Sequence, residues 1–297
     1  MNIEKILKDD RILRSVIWIW KKEFEELLPY FEEATDEYYR NIKQTRKRVV
    51  WWWRKWALPN AKAKLIMILL YVKVYPTYDF VAFLYEVARS QPYYWVVKFL
   101  PVLEKALWRK LVLPERKTRN LEELLERFPE MKEVFVDWTE RPINRPQKAK
   151  QQKKNYSWKK KRHTVKNTIV TDKKRRILFI WKTQEWKIHD KKLYDKDWIW
   201  ELDIDKYGDT GYIWWRWIIT PKKWSKKKPL TQQEKETNKI ISSFRVVVEN
   251  AIAWIKRFGI VSQRLRNRVY WDYETVRINI KDKVILISAW LHNLTIW

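Results

Sequence analysis

The sequence predicts an α/β domain over residues 131–297, preceded by an all-α region. Three observations carry this. Before Met131, apolar residues recur at mixed spacings of three and four. After it come compact β-rich runs, KEVFVDW, HTVKNTIVTD and RRILFIWK. The chain then enters its longest helical pattern, residues 231–258.

The elements follow in order. Residues 1–45 read as helix, with Pro29 marking a kink or a break. The segment 46–56, RKRVVWWWRKW, reads as a basic linker and ends before Pro59. Asn60 is a fitting N-cap for a helix over 60–75. A short helix at 77–85, a turn at 86–90 and a helix at 91–108 follow, with Pro92 in the first turn of the last. In a basic chain this suggests a helix-turn-helix with 91–100 as the recognition helix, although a plain helical hairpin has the same pattern. Residues 119–130 form one more short helix. The division is thus an N-terminal helical segment, 1–45; a basic linker with helix-turn-helix, 46–130; and the α/β domain, 131–297.

In that last part the DKK between HTVKNTIVTD and RRILFIWK suits a hairpin. HDKKLYDK is a candidate helix, and ELDIDKYGD alternates toward a turn. Thr231 with Glu234 makes a capping box for the long helix. The stretch 141–162 is nearly free of acid and should project as a basic excursion toward a phosphate backbone.

Composition narrows the function. Lys and Arg number 64 against 36 Asp and Glu, a net charge of +28. Such a charge repels itself unless a polyanion is the partner, and nucleic acid is the first expectation. A membrane surface or mere solubility are the other readings. No cysteine excludes disulfides and thiolate zinc sites. The apolar run LIMILLYV is too short to span a bilayer, and MNIEKILKDDRIL lacks a signal-peptide core. No membrane association and a cytosolic setting are therefore expected. His163, His189 and His292 share no metal-ligand spacing, and no P-loop, dinucleotide fingerprint or Ser-His-Asp set is present.

Three acids stand out. Asp137 ends the strand VFVD, Asp209 follows an alternating strand in YGDTGY, and Glu249 lies among apolar residues in RVVVENAI. A carboxylate in such company needs a partner or a cation. Three acids converging from two strands and a helix can hold two Mg²⁺ ions, which clamp the attacking and leaving oxygens of a phosphodiester. Arg245, Glu249 and Lys256 fall on one helix face, a stripe suited to a scissile phosphate. Simpler roles stay open: a strand-end hydrogen bonder for Asp137, a turn residue for Asp209, and surface ion pairs for the stripe. Asp190 and Asp195 are stand-ins for Asp209.

At these residues the chain resembles the bacterial insertion-sequence transposases of the DDE superfamily, in the fifth insertion-sequence family. The segments that match are VFVDWTERPINRP, YSWKKKRHTVKNTIV, HDKKLYD, GDTGYIW, PKKWSKKKPLT, ISSFRVVVENAIAWIKRF and RLRNR, in family order from residue 60 onward. The resemblance implies an RNase H-like mixed sheet with flanking helices behind a helix-turn-helix. It implies catalytic, metal-binding roles for Asp137, Asp209 and Glu249. It implies two Mg²⁺ ions, with Mn²⁺ as a substitute. The family's Y-(2)-R-(3)-E-(6)-K pattern fits Arg245, Glu249 and Lys256, with Ser242 where Tyr would stand. Lys160, Arg162 and His163, and Arg54 and Lys55 of the linker, become DNA contacts. The implied partners are the element's terminal inverted repeats, target DNA and further copies of the chain in a synaptic complex. The implied setting is the bacterial cytosol and nucleoid. A transposase-derived, non-catalytic DNA-binding protein is the alternative, and a generic Mg²⁺ nuclease is third.

The chain has 22 Trp and only 3 Gly, where ordinary glycine usage is about 7%. The resembling family tends to have glycine where Trp158, Trp214, Trp254 and Trp290 stand, glycine or alanine at Trp138, and a Gly-rich linker at Trp51–Trp53. Some bacterial lineages read UGA as glycine. Many of these tryptophans are therefore expected to be glycine in the cell.

Overall fold

The computed structural model describes residues 1–45, 57–110, 114, 133–187, 205–208, 218–222, 224–225, 229–266, 270–271, 277–278 and 280–296. The helices expected at 119–130 and over HDKKLYDK lie outside these residues, as do the 46–56 linker, Asp190, Asp195 and Asp209.

Three helices open the chain: α1 (Ile3–Lys8), α2 (Asp10–Ile17) and α3 (Lys21–Thr45). Of the kink or break expected at Pro29, the break is absent, and α3 runs through it. Its buried stripe continues from Phe24 and Leu27 to Phe31 and Ala34, and that packing outweighs the roughly 3 kcal/mol an interior proline costs. The breaks fall earlier. Asp9 Oδ1 accepts the Ile12 N–H at 3.1 Å to start α2, and Trp18 ends it at φ 75.

The helix α4 (Ala61–Val74) begins as expected, Asn60 Oδ1 accepting the Ala63 N–H at 2.9 Å. It is buried without interruption from Leu65 to Leu69, as a helix apolar on every side must be, and α2 and α3 pack on it. The helices α5 (Tyr78–Tyr85) and α6 (Gln91–Lys110) are joined by the short turn the sequence predicts. Glu86 closes α5 at φ 53, ψ 48, the left-handed conformation that glycine favours. Ion pairs such as Arg109–Glu37 at 2.7 Å and Lys110–Glu26 at 2.9 Å tie α6 back to α3.

Next come β1 (Glu133–Pro142), α7 (Ala149–Asn155), β2 (Tyr156–Ser157), β3 (Arg162–Thr171), β4 (Ile177–Ile180), β5 (Gln184–Glu185) and β6 (Asp205–Gly208). The expected basic excursion is therefore partly regular, carrying α7 and β2 between β1 and β3. The described strands form a mixed sheet with the path β2-β3-β1-β6, and β4 and β5 also pair with β3. β3 runs antiparallel to β1, from Phe135↔Thr171 to Pro142↔Thr164. β6 runs parallel to it, from Glu133↔Asp205 to Val136↔Gly208. A mixed sheet with flanking helices behind an all-α region is the fold class the sequence predicts.

The chain continues through α8 (Gln232–Ile255), α9 (Gly259–Ser262), the small pair β7 (Tyr270–Trp271) and β8 (Arg277–Ile278), and α10 (Ile280–Leu294). The capping box is formed: Glu234 N–H donates to Thr231 Oγ1 at 3.2 Å and Thr231 N–H to Glu234 Oε2 at 2.9 Å. The Lys222 ammonium at 2.7 Å, with the Thr231 amide, holds the Glu234 carboxyl down to about 2. A buried network links β1 to α10. Arg141 donates to Asn167 Oδ1 at 2.7 Å, to Thr183 Oγ1 at 3.1 Å and to the Lys281 carbonyl at 2.8 Å. Thr183 in turn donates to Asp282 Oδ1, from its amide at 2.7 Å and its hydroxyl at 2.8 Å.

One apolar cluster takes in residues from Ile6 on α1 to Leu294 on α10. Gly259, at the start of α9, packs closely against the end of α4. A methyl at that Cα would sit 2.7 Å from the Val74 carbonyl oxygen and 2.8 Å from that of Lys73. Gly259→Ala is expected to cost about 2 kcal/mol, read as a lower urea midpoint. An unchanged midpoint would show that the end of α4 yields freely.

His292 is 2% exposed, and its Nε2 lies 2.9 Å from the Arg175 carbonyl. Burial pushes its pKa from the ordinary 6.5 down to about 4. The unfolded chain therefore takes up this proton first, so stability is full above pH 6.5 and is lost as pH falls toward 4. The loss approaches about 3 kcal/mol. His292→Gln should flatten this slope in denaturation midpoints measured across that range, and a slope equal to the parent's would refute the assignment.

The tryptophans bear on the glycine expectation. Trp18 holds the left-handed C-cap position where a bulky side chain is an outlier. Trp290 is 4% exposed, and its indole N–H has no hydrogen-bond partner among the described residues, which buried indoles normally find. Trp158 is 76% exposed. Of the positions the sequence singled out, Trp138, Trp158, Trp254 and Trp290 do not have positive φ, and Trp51–Trp53 and Trp214 lie outside the described residues. Intact-mass measurement of the native protein should give a value below that of the written chain, and a match to the written chain would end the idea.

Candidate active site

β6 runs parallel to β1 and ends at Gly208, while β1 continues to Pro142. Asp137 therefore lies mid-strand and not at the strand end that the sequence suggested, because pairing with β3 carries the strand on. Val136 pairs with Gly208, and Asp137 is the next residue on β1. Asp209 follows Gly208 in the chain but lies outside the described residues. Asp137 Oδ1 accepts the N–H of its neighbour Trp138 at 2.7 Å.

Asp137 borders two concavities. One of about 60 Å³ has Gly208, Ser242 and Arg245 in its wall. The other, about 310 Å³, opens among Glu140, Lys160, Arg162, Arg245 and Lys256. Arg245 is common to both and donates from Nε to Glu249 Oε1 at 2.7 Å, one turn on along α8. Both partners of that pair are about half exposed, so it orients the carboxylate more than it stabilises the fold. Loss of water lowers the Lys256 pKa, and the charge of Lys160 lowers it further, while Asp137 and Glu140 pull it back up. The Lys256 ammonium is thus held between two cleft carboxylates and a second cation.

The structure therefore brings Asp137, Arg245, Lys256, Lys160 and Arg162 to one cleft. Glu249 is attached to it through Arg245. His163 does not line the cleft; its ring lies 5.4 Å from that of Tyr156. It follows Arg162 on β3, and successive strand residues point to opposite faces. Arg54 and Lys55 lie outside the described residues. The sequence reading missed Lys159 and Glu140, which line the cleft. Glu140 accepts from the Thr164 hydroxyl at 3.1 Å and the Trp186 indole at 3.3 Å. Its one signal was being the last acid before the basic stretch. Among the described residues no three His, Asp or Glu side chains are grouped to hold a metal.

A family model described as DDE superfamily endonuclease matches residues 136–293. A probable transposase for insertion sequence element IS702, from Microchaete diplosiphon, is 31% identical over 221 residues, covering 71% of this chain and 77% of that protein. The chain belongs to the DDE-family insertion-sequence transposases. No solved structure matches it. The matched span begins one residue before Asp137 and takes in Arg245, Glu249 and Lys256. Family membership carries a nuclease or transposase activity, and the cleft beside Asp137, midway along β1, is where this transposase has a carboxylate set among cations. Among the described residues no helix is long and apolar enough to cross a membrane.

Proposed function

We propose that the chain catalyses Mg²⁺-dependent strand cleavage at the ends of an insertion sequence and the strand transfer that joins them to target DNA. The observation that carries this is one cleft in which Asp137 faces Lys160, Arg162, Arg245 and Lys256. Carboxylates offer oxygen to hard cations, and the cations offer charge to phosphates.

Asp137, Asp209 and Glu249 are the proposed ligands. The pairing of Val136 with Gly208 supports Asp209 as the second, since adjacent Cα atoms are only about 3.8 Å apart. Glu249 fits a metal as it stands, because Arg245 takes up one of its oxygens and a carboxylate has about four lone-pair sites. Bound divalent ions, Mg²⁺ or Mn²⁺, would activate an attacking oxygen and stabilise the leaving one. The chain's own residues do the rest. Arg245 fixes the Glu249 carboxylate and, with Lys256, holds the scissile phosphate. Lys160 and Arg162 track the flanking backbone, with Lys159 beside them.

Residues 46–130, with Arg54 and Lys55 and the α5–α6 pair, are proposed to bind the terminal inverted repeats, and residues 131–297 to cut and join. Copies of the chain would assemble on two ends in the bacterial cytosol. The test is a donor plasmid carrying the inverted repeats that flank the gene, incubated with the full chain. With Mg²⁺, breaks at the element ends and joined products are expected; with EDTA, neither. Absence of both in Mg²⁺, or undiminished breaks in EDTA, would refute the proposal.

A further inference from the structure

A second basic cavity, of about 490 Å³, lies between the β3–β4 turn, α8 and the end of α10. Lys174, Arg175 and Arg257 supply its charge, Asn250 and Thr295 add polar groups, and among the described residues no carboxylate side chain lines it. The turn is built to present its cations. Asp172 and Arg176 are 4% and 7% exposed, and the Arg176 guanidinium meets the Asp172 carboxylate at 2.5 Å. The Arg175 N–H also donates to the Asp172 carbonyl at 3.1 Å. This clasp holds Arg175 at φ 66, with Lys173, Lys174 and Arg175 all exposed. Lys173 is partly committed, to Glu133 at 2.7 Å.

His292 also lines the cavity. Its Nε2–H is given to the Arg175 carbonyl at 2.9 Å, which ties the turn to α10, so the charge of the site comes from the lysine and arginine side chains alone.

Asn250, Ala253 and Trp254 are the α8 positions on this cavity, and Arg257 follows just beyond the helix end. At about 100° per residue they lie roughly 60–160° round the helix from the Arg245–Glu249–Lys256 stripe. The two basic surfaces therefore face different ways from one rod.

We propose that this cavity is a second binding site for DNA backbone, holding a stretch other than the strand at Asp137. It rests on the reading of the chain as a DNA-processing enzyme. The cations, not the Trp254 indole, make the site, so glycine at 254 would leave it in place.

The probe is a fluorescent random-sequence duplex of about 40 base pairs, titrated with the full chain in metal-free buffer between about 50 and 200 mM salt. The double variant Lys174→Gln/Arg175→Asn should lower the log–log salt slope by about one to two, and Arg257→Gln by about one. Affinity should fall about tenfold at the higher salt for the double variant. Lys5→Gln/Lys8→Gln, which removes equal charge from α1, should change neither. Asparagine tolerates the φ of position 175, and the turn is exposed, so the double variant decides the matter if Arg257→Gln misfolds. Parent-like slopes in a folded double variant would overturn the site, and so would an equal loss in Lys5→Gln/Lys8→Gln. Failure of the unaltered chain to bind the duplex would overturn the site and the DNA-processing reading together. A loss in Lys160→Gln/Arg162→Gln alone would uphold that reading and reject this site.

Discussion

Asp137→Asn is expected to abolish strand cleavage while DNA binding in metal-free buffer stays as tight as the parent's or becomes slightly tighter. The substitution keeps the shape of the side chain and removes the charge. Its amide can no longer serve as an anionic oxygen ligand, and several kcal/mol of transition-state stabilisation go with it. At about 1.4 kcal/mol per factor of ten, a loss of about a thousandfold or more follows. Binding is expected to be spared because the cations of the cleft, Lys160, Arg162, Arg245 and Lys256, are untouched. Gel assays of nicked and joined products, beside anisotropy on the same preparation, read both. Cleavage within tenfold of the parent in Mg²⁺ would refute the role of Asp137.

Arg141→Met should be the most destabilising single change in the sheet, by about 4 kcal/mol. Arg141 is 2% exposed. Without it, Asn167 Oδ1 and the Lys281 carbonyl lose their guanidinium donor. Thr183 loses a partner while still bound to the buried Asp282 carboxylate. That acid then loses the guanidinium that Arg141 brings to its network through Thr183. A fall in unfolding free energy below about 1 kcal/mol would show that other contacts hold β1. The same strand carries Asp137, so a folded Arg141→Met chain should also cleave poorly.

Local signals were legible where one short stretch decides the outcome. The Asn60 cap, the Thr231–Glu234 box and the tight turn at Glu86 are each settled within a few residues. Pro29 misled because a local penalty was read without the apolar stripe that crosses it. His163 follows Arg162 in the chain, yet strand alternation puts the two on opposite faces. Arg141 gave no warning. Arginine is almost never fully buried unless paired, and its partners lie 26, 42 and 140 residues away. Of the candidate acids, Asp137 and Glu249 were chosen by place in their elements, and what links them is the Arg245 side chain one helical turn before Glu249.

The apolar cluster that runs unbroken from Ile6 to Leu294 has a consequence for where a cut falls on DNA. The helices proposed to grip an element end and the strand bearing Asp137 share one interior, so neither can swing far without the other. Such a body measures with a fixed stride: base pairs inserted between the gripped sequence and the cleavage point would shift the break along the DNA by their own number.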